Sequence, residues 1–268
     1  MTYEKMDALL EKKWKKLMGE LSGYSSAVIA YSGGVDSSFL TYAAVQALGQ
    51  KITAVTVVSP ILAQSMLDQA TAFSSQAGFV HIVLPVEQLA DPVFLSNPPD
   101  RCYHCKKLYL DRLCGYANEN HFDVVLEGQN ADDLSDYRPG SRAVKESSVR
   151  SPLAENGITK QEIRLLARHF GLTVWDQPST PCLATRIPYG SPVTNLALRQ
   201  IEQAEDLLVG QGFKVVRVRH FNDTARIEVL PEKIGELVSK REEIVKAFRD
   251  IGYKYVTIDL QGYRMGSL

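Results

Sequence analysis

The chain has 268 residues, 45% of them apolar and 23% charged, an ordinary globular composition with room for one large domain or two small ones. Thirty Lys and Arg against 31 Asp and Glu leave a net charge of −1, which argues against a strongly basic nucleic-acid-binding face. No apolar run is long enough to span a bilayer, and Met1-Thr2-Tyr3-Glu4-Lys5 lacks the basic and apolar regions of a secretory signal, so a cytoplasmic chain without membrane contact is expected.

Asp7 to Leu21 carries Leu9, Leu10, Trp14, Leu17 and Leu21 at helical spacing and predicts an amphipathic lead-in helix. Ala27-Val28-Ile29-Ala30 then reads as a buried strand, and Phe39 to Val45 as a helix. Between them lies Tyr31-Ser32-Gly33-Gly34-Val35-Asp36-Ser37-Ser38. A strand, a Gly-Gly turn and a helix start make an anion site: glycines allow close backbone approach, and the first helical turn offers unpaired N–H groups. Ser32, Ser37 and Ser38 add hydroxyls. Asp36 would repel a bare phosphate, which suggests a magnesium ion held with it. No Gly-Lys-Ser/Thr follows, so this is not a Walker A loop, and it is not a GxGxxG turn.

Lys51 to Val58 reads as a second strand whose end, near Val58, falls at the carboxyl edge of the sheet. A helix over Ala63–Ala77 and a strand over His81–Val86 follow. Helices alternating with short apolar strands predict an α/β fold with a doubly wound, mostly parallel sheet. Prolines 92, 98 and 99 argue against a regular element over Asp91–Asp100. A helix is expected from about Leu108 to Asn118, a fourth strand over Asp123–Leu126 ending near Gly128, and a polar loop from Ala131 to Gly140. Thr159 caps a helix over Lys160–Phe170, and Leu172–Trp175 makes a short last strand. Residues 177–192 read as an ordered, proline-rich linker carrying Cys182, which separates a domain over 1–176 from one over 193–268. There a helix (Asn195–Gly210), two hairpin strands (Lys214–His220, Ala225–Leu230), helical Pro231–Ile251 and a last strand (Tyr255–Asp259) predict a small α+β domain with an antiparallel sheet.

Cys102 and Cys105 form a CxxC, a spacing shared by zinc sites, redox pairs and iron–sulfur clusters. Cys114 reads as a buried structural residue. Cys182 lies between two prolines with Arg186 four residues on, and is either a nucleophile with a depressed pKa or a packing residue. Arg217 and Arg219 alternate on one strand and share a face. That face is either solvated or an anion site.

SGGVDSS resembles the pyrophosphate loop of the PP-loop ATP pyrophosphatases, with their adenine nucleotide α-hydrolase-like fold. Together with the CxxC-Lys-Lys stretch, Asp136-Tyr137-Arg138-Pro139-Gly140, Pro181-Cys182-Leu183-Ala184-Thr185-Arg186-Ile187-Pro188-Tyr189-Gly190 and Val216-Arg217-Val218-Arg219, the chain resembles the LarE-type ATP-dependent sulfur transferases of nickel-pincer nucleotide biosynthesis. The resemblance runs from about Glu20 to the Gly262-Tyr263-Arg264 tail. It implies that a carboxylate of pyridinium-3,5-biscarboxylic acid mononucleotide is adenylated by ATP with Mg²⁺, and that sulfur then displaces AMP to give a thiocarboxylate. One branch gives up the sulfur of a cysteine matching Cys182. The other holds a [4Fe–4S] cluster on three cysteines, and Cys102, Cys105 and Cys182 put this chain with the second.

On the same resemblance, Ser32, Gly33, Gly34, Asp36, Ser37, Ser38, Val58, Gly128, Lys106 and Arg138 are expected around ATP. Arg186, Arg217, Arg219, Glu205, Glu228 and Glu236 are expected around the nucleotide substrate, although surface charge is the plainer reading of the three glutamates. Sulfur-donor and cofactor-pathway proteins are implied partners, and a homo-oligomer the implied assembly. The rival readings are a PP-loop tRNA thiolase, an NAD-synthetase-like amide ligase and an ATP-binding regulatory protein.

Overall fold

The computed structural model describes residues 7–134, 139–178 and 180–264. The chain divides into two units, one formed by Met1–Gln88 with Asp100–Thr180 and the other by Leu89–Pro99 with Pro181–Leu268.

In the first unit α1 (Ala8–Leu21) opens on Asp7, whose carboxylate accepts from Leu10 N at 2.8 Å. Then come β1 (Ala27–Ala30), α2 (Val35–Leu48), β2 (Ile52–Val58), α3 (Gln64–Ala77) and β3 (His81–Pro85). After α4 (Pro92–Leu95), which belongs to the second unit, α5 (Arg101–Glu119), β4 (Val124–Leu126), α6 (Pro139–Lys145), α7 (Pro152–Glu155) and α8 (Lys160–His169) complete the first. The four strands are parallel, in the order β3-β2-β1-β4, with Ala27 of β1 opposite Ile52 and Val124. Both faces are covered, which is why β1 is apolar throughout: Ala27 and Ile29 enter one core cluster and Val28 the other. The connections run outward from β1 to β2 and β3, then return to β4 on its other side. The order in which strands are added therefore reverses between β1 and β4, and a ligand crevice is expected at their carboxyl ends.

Four expectations for the chain up to Trp175 need correction. Leu172–Trp175 forms turns and no strand, and the open edge of β4 carries a bridge from Leu126 to Arg150. Helix α5 starts at Arg101, so the CxxC occupies its first turns; the Pro98-Pro99 stop lies just upstream, and Arg101 and Tyr103 are buried. Pro139-Gly140, expected as a loop, opens α6 because proline is well tolerated in a first helical turn. Pro92 opens α4 in the same way, with Asp91 accepting from Val93 N at 2.9 Å.

The second unit contains α9 (Asn195–Gly210), β5 (Val216–Phe221), β6 (Thr224–Val229), α10 (Ile234–Ser239), α11 (Arg241–Ile251) and β7 (Tyr255–Ile258). β5 and β6 form a tight hairpin with Asn222 in the left-handed region (φ 53°). β7 pairs parallel to β6, so the sheet is mixed and not antiparallel. The cause is the helical crossover through α10 and α11, which returns the chain in the same direction. The expected linker belongs to this unit from Pro181 onward. Asn97 fastens it: its Nδ2 donates to Pro188 O at 2.8 Å and Ser191 O at 3.0 Å, and its carbonyl accepts from Gly190 N at 2.9 Å. Among the described residues no helix is long and apolar enough to cross a membrane.

Candidate active site

The loop between β1 and α2 is fixed by its own side chains. Ser37 Oγ donates to Gly34 O at 3.1 Å and accepts from Ser32 N at 3.2 Å. Gly33 has φ +76°, and a Cβ there would meet Ala70 Cβ at 2.8 Å. Gly33→Ala is therefore expected to cost about 1–3 kcal/mol of stability, read by denaturant unfolding, and to distort the loop. Gly34 caps α2 with no side-chain hydrogen bond, leaving first-turn N–H groups for an anion. From the other side of the switch point, Gly128 presses on this turn: a Cβ there would lie 3.1 Å from Ser37 N.

Asp36, on the first turn of α2, is largely buried. Its Oδ2 accepts from Lys160 Nζ at 2.8 Å and from Asn130 Nδ2 at 3.4 Å. Among the described residues its buried Oδ1 has no hydrogen-bond partner. Burial raises the Asp36 pKa and nearby Asp133 adds to the rise, while Lys160 pulls it back. An orphaned carboxylate oxygen beside a phosphate-type loop suits Mg²⁺, a hard cation that takes oxygen ligands.

Two cavities meet the loop. The smaller, about 170 Å³, lies between Ser32–Ser37 and Lys160. The larger, about 570 Å³, runs from Ser32, Asp36 and Ser37 along an apolar wall that includes Val55, Val57 and Leu113, and reaches Cys102, Cys105 and Lys106. Lys106 Nζ pairs with Glu127 Oε2 at 2.9 Å. Glu127 is buried and also accepts from Ser151 Oγ at 2.5 Å and Gln129 N at 3.1 Å. A polar, anion-binding end joined to a long apolar wall is the shape a nucleoside triphosphate requires.

The second unit gathers a cluster of its own. Arg186 is 1% exposed; its Nε and Nη2 grip Glu205 at 2.9 and 2.8 Å, and its Nη1 donates to Pro181 O and Cys182 O at 2.7 and 3.0 Å. Arg219 is likewise buried, bidentate to Glu228 at 2.9 Å on both arms, and its Nη1 donates to Thr185 O. Arg226 adds a bond to Glu228 at 3.1 Å. Arg217 is half-buried beside the Tyr263 ring, and burial, followed by the charges of Arg186 and Arg219, lowers its pKa.

The asparagine synthase family matches residues 27–174, the stretch that holds the loop and all four parallel strands. Over the whole length, the chain is 34% identical to pyridinium-3,5-bisthiocarboxylic acid mononucleotide synthase of Lactiplantibacillus plantarum, covering 97% of this chain and 95% of that protein. The chain belongs to the LarE-type family of sulfur transferases. It is also 41% identical to an uncharacterized protein of Synechocystis sp., over 97% and 98% of the two chains. The likeness to an NH₃-dependent NAD⁺ synthetase of Chlorobaculum tepidum, 31% identical, covers only 56% of this chain and 54% of that one. This LarE-type chain is an ATP-dependent sulfur-transferring enzyme.

The structure sorts the residues expected in this LarE-type site. Ser32, Gly33, Gly34, Asp36, Ser37, Gly128 and Lys106 gather around the loop and its cavities. Ser38 is fully buried and lines neither cavity, and Val57 stands on the wall where Val58 was expected. Arg138 lies outside the described residues. Arg186, Arg217, Arg219, Glu205 and Glu228 come together in the second unit, whereas Glu236 pairs with Lys233 and Lys240 on α10. Cys114 is half-buried, and burial raises its pKa. The residue missed was Lys160. Its place at the head of α8 was legible from the Thr159 capping box; its 2.8 Å contact with Asp36, across 124 residues, was not. Lys160→Met is expected to raise the KM for ATP by about tenfold or more, which steady-state pyrophosphate release would measure.

Proposed function

We propose that this chain adenylates a carboxylate of pyridinium-3,5-biscarboxylic acid mononucleotide and replaces the AMP with sulfur, giving a thiocarboxylate on the way to the nickel-pincer nucleotide. The observation that carries this reading is one cavity shared by the Ser32–Ser37 loop, Asp36, whose buried Oδ1 has no hydrogen-bond partner among the described residues, and the side chains of Cys102 and Cys105. The α2 first-turn N–H groups and Lys160 hold the departing pyrophosphate, and their fixed charges stabilise it as the α–β bond breaks. Asp36 Oδ1 is the oxygen that would hold Mg²⁺, which would supply charge neutralisation on the phosphates. The apolar wall excludes water, which would otherwise hydrolyse the acyl adenylate. Adenylation matters because oxide is a poor leaving group and AMP a good one. Arg217 meets an anionic group of the substrate, whose charge offsets the burial and the neighbouring Arg186 and Arg219 that disfavour its own.

A [4Fe–4S] cluster would require a third thiolate beside Cys102 and Cys105. Among the described residues no three His, Cys, Asp or Glu side chains are gathered to hold a metal.

The reading is tested by incubating the protein with ATP, Mg²⁺, sulfide and the pyridinium nucleotide, with tRNA, or with nicotinate adenine dinucleotide and ammonia. Pyrophosphate release that depends on the pyridinium nucleotide, with a product one sulfur-for-oxygen exchange heavier, is the expected result. Release that depends on tRNA or on the dinucleotide would assign the site to a thiolase or an amide ligase.

A further inference from the structure

The chain leaves β7 through Asp259-Leu260-Gln261-Gly262-Tyr263-Arg264. Asp259 turns it back: its carbonyl accepts from Gly262 N at 3.0 Å and its Oδ1 from Gln261 N at 2.9 Å. Gly262 is buried at φ +72°, and a Cβ there would meet Val229 O at 2.8 Å. Tyr263 N then donates to Val229 O at 2.7 Å, at the end of β6. Val216 of β5 stands opposite Val229 in the hairpin, so this bond carries the tail to the start of β5 and to Arg217. The Arg217 guanidinium lies 5.3 Å from the centre of the Tyr263 ring, a cation–π distance. The main chain of Gly262 and Tyr263 holds the tail in place, while the ring itself is half-exposed and outside the apolar core of the unit.

We propose that Tyr263 receives the pyridinium ring of the nucleotide substrate and so selects a cationic ring over a neutral one. This rests on the substrate reading above and adds the residue that reads the ring. The substrate carries two kinds of charge. Its carboxylates and phosphate are anionic and suit the Arg217 fork. Its ring is a flat cation, which a guanidinium repels. The electron-rich face of a tyrosine is a neutral group that attracts such a cation, through its quadrupole and by stacking. A ring has two faces, and one guanidinium at 5.3 Å does not fill both. Tyr263 beside Arg217 therefore sets each charge against its complement: a carboxylate on the pyridinium ring meets the guanidinium while the ring lies on the tyrosine face. That carboxylate also comes between the two cations and offsets their repulsion. The phenol hydroxyl has no part in this, so the role belongs to the aromatic face.

The test is a calorimetric titration of the full-length protein, held with Mg²⁺ and α,β-methylene-ATP, which cannot be cleaved at the α–β position. The two titrants are pyridinium-3,5-biscarboxylic acid mononucleotide and its neutral isostere, in which carbon replaces the ring nitrogen. The wild-type protein is expected to bind the cationic ring about tenfold or more tightly than the isostere. Tyr263→Leu should lose that preference and bind both with about the affinity of the isostere. Tyr263→Phe should keep it. Tyr263→Trp should keep it too, with indole emission quenched by the bound pyridinium beyond the quenching seen in the wild type. The affinity for the ATP analogue, unchanged in all three variants, shows that they are folded. Equal wild-type affinity for the two titrants, a preference that survives in Tyr263→Leu, or one lost in Tyr263→Phe would overturn the proposal. A wild-type protein that binds the ATP analogue and neither titrant would defeat the substrate reading itself.

Discussion

Asp36→Asn is expected to lower pyrophosphate release by about a thousandfold or more while the protein stays folded. The substitution keeps the shape of the side chain and an acceptor for Lys160, and removes the charge that orients the metal. Stability should not suffer. The Asp36 pKa is raised, chiefly by burial, so its protonated form is favoured in the folded state. Any stability from that proton is present below the ordinary aspartate pKa and is lost as pH rises through the raised value. At neutral pH the ionised carboxylate is therefore a cost to folding, and its neutral isostere should unfold at an equal or higher temperature. Near-normal pyrophosphate release from the folded variant would mean that the loop has another role.

The second large effect is on stability, in the other unit. Glu228 is fully buried and accepts from both Arg219 and Arg226. Glu228→Ala leaves the Arg219 guanidinium buried without its counter-charge, and a loss of about 3–5 kcal/mol is expected in denaturant unfolding. Arg217→Ala should behave in the opposite way. Burial and the neighbouring arginines already disfavour its charge, so stability should change by less than about 1 kcal/mol. Its KM for the nucleotide substrate should rise about tenfold or more. If Glu228→Ala folds normally and only KM changes, the buried pair is a substrate contact and not a brace.

This split shows what was legible in the sequence. The nucleotide loop was, because a buried strand, two glycines and a helix start are adjacent in the chain and their chemistry is local. The parallel sheet followed from the alternation of strands and helices. Arg186, Arg219, Glu205 and Glu228 were recognised as a group, yet residue type does not tell an arginine that binds ligand from one saturated by a glutamate. Only the bidentate pairing of Arg186 with Glu205 and of Arg219 with Glu228 separates them from Arg217. Lys160 escaped for a related reason, since a lysine at a helix start reads as a solvated charge until the fold brings it to Asp36. The parallel pairing of β7 depends on a helical crossover whose return direction no local pattern encodes. The early start of α5 was hidden by the prolines before it, and it matters most, since it sets both thiols of the CxxC on one helical face.

The central claim, activation of a carboxylate as its AMP ester, is tested most directly by oxygen transfer. The pyridinium nucleotide is prepared with oxygen-18 in its carboxylates and turned over with ATP and a sulfur source, and the AMP is weighed by mass spectrometry. One heavy oxygen in the phosphate of AMP for each thiocarboxylate formed is the predicted result. AMP without label, with all the heavy oxygen remaining in the substrate or appearing in inorganic phosphate or pyrophosphate, would contradict it.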